Sequence, residues 1–326
     1  MKALVLKAFN APYELIEVEK PIAEKGQVLV KVKASGVNPL DLKIMREQAA
    51  HAQIKLPAIL GVDLAGVVEA IGVGVSQFKV GDEVYGMVGG VSDLQGSLAE
   101  YVAVDEDLLA LKPLNLTFRE AATIPLVFIT AWEALVEKAN VQSGKTVLIH
   151  GGAGGVGHMA VQIALAKGAL VYTTVEPGRD QLIAQYGAIA IDYKSLSAEA
   201  YIEAYSNGEG FDIVLDTVGG SVLDDSFKAS RRDTGHVVSI LGWGTHSLAP
   251  LSFRGATYSG VFTLYPLLSG NNKAHHGRVL QQAKQLVEAG KLKTWVDSEL
   301  YSFTSTDRAY EAIDMRKNNG KVVIDI

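Results

Sequence analysis

The chain has 326 residues, 48% of them hydrophobic and 20% charged, and a formal net charge of −6 at pH 7. That length exceeds one ordinary core, so two domains are expected, and an acidic balance without a long Lys/Arg block excludes the basic footprint that nucleic acids and anionic membranes require. There is no cysteine, which excludes disulfides, thiolate metal sites and cysteine nucleophiles and makes the cytoplasm the economical location.

In chain order, residues 1–7 alternate and break at Asn10 and Pro12, which reads as a first strand and not as a secretory segment. Residues 27–34 alternate apolar and polar, and residues 61–84 form a glycine- and valine-rich run of short strands, so the first third predicts an antiparallel β domain. The longest apolar stretch, residues 59–75, carries Asp63 and Glu69 and falls short of the roughly 18 uninterrupted apolar residues of a membrane span. Thr117 and Glu120 have capping-box spacing, and a helix is expected over residues 130–139. From Lys145 the pattern becomes βαβα. Helices are expected near residues 278–289 and 306–318, and a strand over 321–326; His275 and His276 fall in a polar run and are expected to be solvated.

The most informative stretch is Val147-Leu-Ile-His-Gly-Gly-Ala-Gly-Gly-Val-Gly157, an apolar strand entering a glycine turn that opens a helix over residues 156–167. Gly152, Gly154 and Gly157 satisfy Gly-x-Gly-x-x-Gly, in which missing side chains allow a tight turn and close approach of a pyrophosphate to the helix N-terminus. Six-residue glycine patterns arise by chance in a chain with 33 glycines. Here, however, a second apolar strand follows at βαβ spacing, and residues 211–216 and 236–241 read as later parallel strands. The layout predicts an α/β fold: a doubly wound parallel sheet domain inserted between two parts of a β-rich domain, with the active site in the cleft between them.

Gly61-x-Asp63-x-x-Gly66-x-Val68-x-x-x-Gly72-x-x-Val75, with Gly81-Asp82-Glu83-Val84, resembles the signature of the medium-chain dehydrogenase/reductase superfamily, and Ala34-Ser-Gly-Val-Asn-Pro-Leu-Asp41 is similar to its zinc-free quinone oxidoreductase branch. The resemblance covers nearly the whole chain. It implies a GroES-like catalytic domain over residues 1–122 and 266–326 and a Rossmann-type dinucleotide domain over 123–265. Zinc-dependent members place a cysteine near Asn38 and a Gly-His-Glu where this chain has Gly61-Val62-Asp63, so no metal is expected.

Without a Lewis acid, the suitable substrates are quinones and α,β-unsaturated carbonyls, which accept hydride with little more than orientation and a hydrogen bond to the developing oxyanion. The resemblance implies two catalytic side chains: Asn38, whose amide both accepts and donates, and Thr130 near the nicotinamide. Asn38 also suits a turn cap before Pro39, and Thr130 a bond back to its own helix. The tyrosine that related reductases carry after the Asn-Pro motif is missing from residues 45–51; His51 and Tyr265 are candidate substitutes.

The resemblance implies cofactor contacts at Gly152, Gly154, Gly155, Val156, Gly157, Arg179, Tyr193, Val218, Ser239, Gly242, Phe262 and Arg316. Asp216 and Gly219 fall at the same sheet edge. Glu176 suits a ribose 2′-hydroxyl, whereas Arg179, Tyr193 and Arg316 suit a 2′-phosphate, so NADPH is expected with NADH as the alternative. An NADPH-dependent quinone reductase is thus the leading expectation, with an enoyl-thioester or 2-alkenal reductase, or an NADPH-binding sensor, as alternatives. The resemblance also implies a homodimer, paired through the β-prone run 256–262 that would otherwise leave an exposed sheet edge.

Overall fold

The computed structural model describes residues 1–326, and the chain divides into two compact units, Met1–Leu126 with Leu264–Ile326, and Val127–Thr263.

The first unit is β-rich. Its strands are β1 (Lys2–Leu6), β2 (Glu14–Glu17), β3 (Gln27–Gly36), β4 (Ala58–Ile59), β5 (Asp63–Ile71), β6 (Glu83–Met87), β7 (Tyr101–Asp105) and β8 (Leu109–Leu111). β3 is the hub: it pairs antiparallel with both β5 and β7, and shifts register against β5 at Leu29/Val30 and Val32/Ala34. Such irregularities increase local bend and twist. The run expected as several short strands is mainly the single strand β5, whose first half is buried where β3 and β6 flank it. Thr117 caps the short helix Phe118–Ala122 in a capping box with Glu120. The C-terminal part of the chain rejoins this unit. Helix Ala274–Glu288 accepts a hydrogen bond at Leu280 O from the buried Tyr85 hydroxyl at 2.6 Å. His276 on that helix is fully buried, not solvated as its polar neighbourhood implied, because it lies on the helix face that carries Gly277, Val279 and Leu280 into the core.

The second unit holds β9 (Thr146–His150), β10 (Leu170–Val175), β11 (Ile189–Asp192), β12 (Ile213–Asp216), β13 (His236–Ser239) and β14 (Thr257–Gly260). They form one sheet ordered β11-β10-β9-β12-β13-β14, and every pair is parallel. Parallel strands covered on both faces need near-continuous apolar side chains. Val147, Leu148 and Ile149 on β9 and Val214 and Leu215 on β12 are accordingly fully buried. The chain leaves β9 toward β10 on one side and later returns to β12 on the other, so the sheet's direction of growth reverses between β9 and β12. Ligands of open α/β sheets bind at such a reversal, outside the carboxyl ends of the strands.

The helix expected at residues 130–139 begins earlier, at Pro125, and ends as an α-helix at Trp132; a π-helical segment, Glu133–Lys138, continues it. The widened turns change which side chains face inward, a local event that periodicity in the sequence does not report.

The C-terminal strands β15 (Tyr301–Ser302) and β16 (Val323–Asp325) complete the first unit's sheet, with β16 antiparallel to β3. That pairing carries Lys321, just before β16, to the Asn38 end of β3.

Candidate active site

Helix Gly155–Ala166 starts on Gly154, which offers no side-chain cap. Its first N–H groups and the positive end of its dipole therefore stay open to an anion. The turn before it is tightly made. A Cβ on Gly152 would lie 2.0 Å from Thr173 Oγ1, and one on Gly157 would lie 2.0 Å from the Gly151 carbonyl oxygen. Thr174, at the end of β10, holds the turn from the neighbouring strand: its hydroxyl accepts from Gly151 N–H at 3.1 Å, and its carbonyl accepts from Gly152 N–H at 3.0 Å. Uncapped helix, absent side chains and location at the sheet reversal together fit a dinucleotide pyrophosphate. Gly154 is exposed, Gly155 and Val156 are half-buried, and His150 and His158 on either side are buried. Burial holds His150 down to about 4, so it is neutral near pH 7.

One strand further, Asp216 organises the sheet edge. Its Oδ1 accepts from Val218 N–H at 3.0 Å and Gly219 N–H at 2.9 Å, and its Oδ2 accepts from the Ser239 hydroxyl at 2.7 Å. Ser239 in turn accepts from Leu241 N–H. One buried carboxylate thus shapes the ends of β12 and β13, placing Val218 and Gly242 on exposed backbone and Ser239 inside. A Cβ on Gly242 would lie 2.3 Å from the Tyr258 hydroxyl, which would have to shift to admit it.

Beyond β10 and β11 lie the specificity candidates Glu176, Arg179 and Tyr193. The Tyr193 hydroxyl donates to Glu176 Oε1 at 3.0 Å, and Arg179 N–H donates to the Glu176 carbonyl. Arg316 belongs to the other unit, as an exposed residue with φ 52° after helix Thr306–Asp314. Phe262, after β14, is 40% exposed. Thr130 is buried, with its hydroxyl 3.0 Å from that of Thr263, which donates to Glu133 Oε2 at 2.7 Å.

Asn38 occupies a different environment. It caps helix Pro39–Met45, with its backbone N–H on Asp41 Oδ2 at 2.8 Å. Its side chain is completely buried: Oδ1 accepts from Lys321 Nζ at 2.5 Å, and Nδ2 donates to Asp63 Oδ2 at 2.9 Å. Asp63 Oδ1 accepts from Leu126 N–H at 2.8 Å, and Lys321 also donates to the Val37 carbonyl at 2.9 Å. Asp41 Oδ1 has no hydrogen-bond partner. Burial pushes the Asp41 carboxyl up to about 7 and that of Asp63 to about 6, while it holds the Lys321 ammonium below its ordinary range. His51 is half-buried in the turn Ala50–Ala52, and Tyr265 is exposed in a short helix.

Thr174, Glu133, Thr263 and Lys321 were not singled out from the sequence. Thr174 has a local signal, a hydroxyl at the end of the strand after a glycine turn. Lys321 reaches Asn38 across a separation of 283 residues, and no local pattern reports such a contact.

Residues 24–114 match the alcohol dehydrogenase GroES-like domain family, and residues 186–324 match the zinc-binding dehydrogenase family. The chain is 34% identical to the chloroplastic NADPH-dependent alkenal/one oxidoreductase of Arabidopsis thaliana, over 99% of this chain and 79% of that protein. It is 31% identical to a quinone oxidoreductase of Sus scrofa, over 99% of this chain and 97% of that one. The crystal structure of an alcohol dehydrogenase superfamily protein from Novosphingobium aromaticivorans superposes with a TM-score of 0.98 at 52% identity, covering 100% of this chain and 99% of the other. With two family models matched and relatives of over 30% identity aligned along 99% of its length, this chain belongs to the medium-chain dehydrogenase/reductase superfamily.

Proposed function

We propose that the protein is an NADPH-dependent reductase of quinones and similar electron-poor carbonyl or alkene acceptors, working without a metal. The observation that carries this reading is the uncapped glycine turn at the sheet reversal, in a chain whose relatives are named for NADPH, alkenals and quinones. The backbone from Gly152 to Gly157 binds the pyrophosphate; Val218, Gly242 and Phe262 line the path along the sheet edge, which the buried Ser239 supports from behind. Arg179 and Tyr193 receive the 2′-phosphate, since a guanidinium matches a phosphate bidentately; the sequence offers Arg316 for the same role. When bound, the reduced nicotinamide supplies the hydride.

The donor set does not suit zinc. Of the positions that align with zinc ligands, Asn38 already bonds an ammonium and Val62 is a buried hydrocarbon. No group of three or more His, Cys, Asp or Glu side chains converges elsewhere, whereas a catalytic zinc takes about three protein ligands. Charge developing on the acceptor oxygen must then be met by hydrogen-bond donors, for which Asn38 and Thr130 are the assigned side chains. The exposed outer strand β14, with Tyr258 on it, suits pairing with the same edge of a second copy.

Steady-state oxidation of NADPH and NADH against a panel of quinones, alkenals and enoyl thioesters, with metal analysis of the same preparation, tests the proposal. Turnover of quinones or alkenals with NADPH in metal-free protein is the expected result. Tight dinucleotide binding with no turnover of any acceptor would identify a binding protein instead, and activity that needs added zinc would refute the metal-free reading.

A further inference from the structure

Asn38, Lys321 and Asp63 form a chain of three buried groups whose hydrogen-bonding capacities differ in kind. An ammonium has donors only, and an ionised carboxylate has acceptors only. The amide between them therefore cannot flip. Its oxygen must face Lys321 and its nitrogen must face Asp63, as the 2.5 Å and 2.9 Å contacts show. The orientation of an asparagine amide follows from its hydrogen-bond partners; here two opposite charges fix it. No carboxylate lies within 4.0 Å of Lys321 Nζ, whose partners are the Val37 carbonyl and Asn38 Oδ1, both neutral. The hydrogen-bonded path from the ammonium to Asp63 thus runs through the amide.

We infer that Lys321 and Asp63 are positioning residues for the reductase reaction, clamping the Asn38 amide by its two ends and polarising it into a stronger donor. The inference rests on the assignment of Asn38 to the acceptor. The ammonium draws electron density toward Oδ1, the carboxylate draws on one Nδ2 hydrogen, and both favour the charge-separated form of the amide, as in other charged hydrogen-bonded networks. The second Nδ2 hydrogen is held only by a long contact of 3.4 Å to the Gly36 carbonyl. It is the donor that the clamp strengthens. Because the charges sit behind the amide and not on the acceptor, their removal is expected to act on the chemical step and to leave dinucleotide binding alone.

The test uses Lys321→Met and Asp63→Asn in the full chain, with two readouts. The first is the side-chain amide resonance pair of Asn38 in 1H–15N TROSY spectra, identified by its disappearance in Asn38→Ala. One wild-type proton is expected downfield of ordinary side-chain amides; Lys321→Met should move the pair upfield, and Asp63→Asn should remove the downfield displacement. The second is kinetics: kcat for the best acceptor should fall about tenfold to a hundredfold, the usual effect of removing a residue that orients a first-contact group, with KM for NADPH unchanged. Circular dichroism establishes folding of each variant, and if Lys321→Met does not fold, Asp63→Asn tests the clamp from its other end. Amide resonances that stay in place in folded variants, or an unchanged kcat, would overturn the inference. A wild-type protein that reduces no acceptor would refute the proposed function, while the spectra would still decide whether the clamp exists.

Discussion

Replacing Asp41 with asparagine is expected to change how folding stability depends on pH. The side chain is completely buried, its Oδ2 accepts from Asn38 N–H, and its Oδ1 is unpartnered. Burial is the main cause that pushes the carboxyl from 3.8 to about 7; the nearby Asp63 adds to it, and the Asn38 N–H and the Lys321 charge oppose it. A raised carboxyl keeps its proton in the folded chain over a range in which the unfolded chain has already released it. Its contribution to stability is therefore full below about pH 4 and is lost as pH rises through about 7. A displacement of about 3 units, at about 1.4 kcal/mol each, gives roughly 4 kcal/mol, and relaxation of the buried site reduces this to roughly 2–4 kcal/mol. Asparagine keeps an oxygen for Asn38 N–H and cannot ionise. The stability of Asp41→Asn relative to wild type should thus rise by that amount between pH 4 and pH 8. Asp63, raised by the same physics, contributes similarly to both proteins and largely cancels. Urea unfolding at several pH values, read by Trp295 in a background with Trp132 and Trp243 replaced by Phe, measures the gap in the unit that holds Asp41. A gap that stays constant with pH, or widens toward acid, would refute the reasoning.

Gly152→Ala places a Cβ 2.0 Å from Thr173 Oγ1; dinucleotide affinity by calorimetry should fall at least tenfold, and stability by about 1–3 kcal/mol for the overpacking. Thr174→Val removes the acceptor for Gly151 N–H and should cost about 1–3 kcal/mol of stability while raising KM for the dinucleotide. Arg179→Ala should raise KM for NADPH about tenfold to a hundredfold and leave KM for NADH nearly unchanged, and a parallel rise for both would remove Arg179 from the 2′-phosphate. Glu176→Gln should lower KM for NADPH by relieving repulsion of the 2′-phosphate; if it raises KM for NADH instead, Glu176 is the ribose-binding acid.

The parts of this protein legible in its sequence are those whose physical cause is local. The apolar strands of the second unit are visible as runs because a parallel sheet buries both faces, and the glycine turn is visible because its geometry forbids side chains at Gly152 and Gly157. The capping box at Thr117 and Glu120 likewise spans only four residues. Tertiary structure decided what contact and burial decide. His276 looked solvated in a polar run but is carried inward by its helix face, and the π-helical turns after Trp132 answer to packing that no spacing rule encodes. Asn38 shows the division within one residue. Its place before Pro39 marks it as a cap from the sequence alone, yet the ammonium arrives from the segment just before β16 and the carboxylate from β5, two strands joined to β3 by sheet pairing. Local sequence sets backbone propensity, and only the folded sheet brings opposite charges to the two ends of one amide.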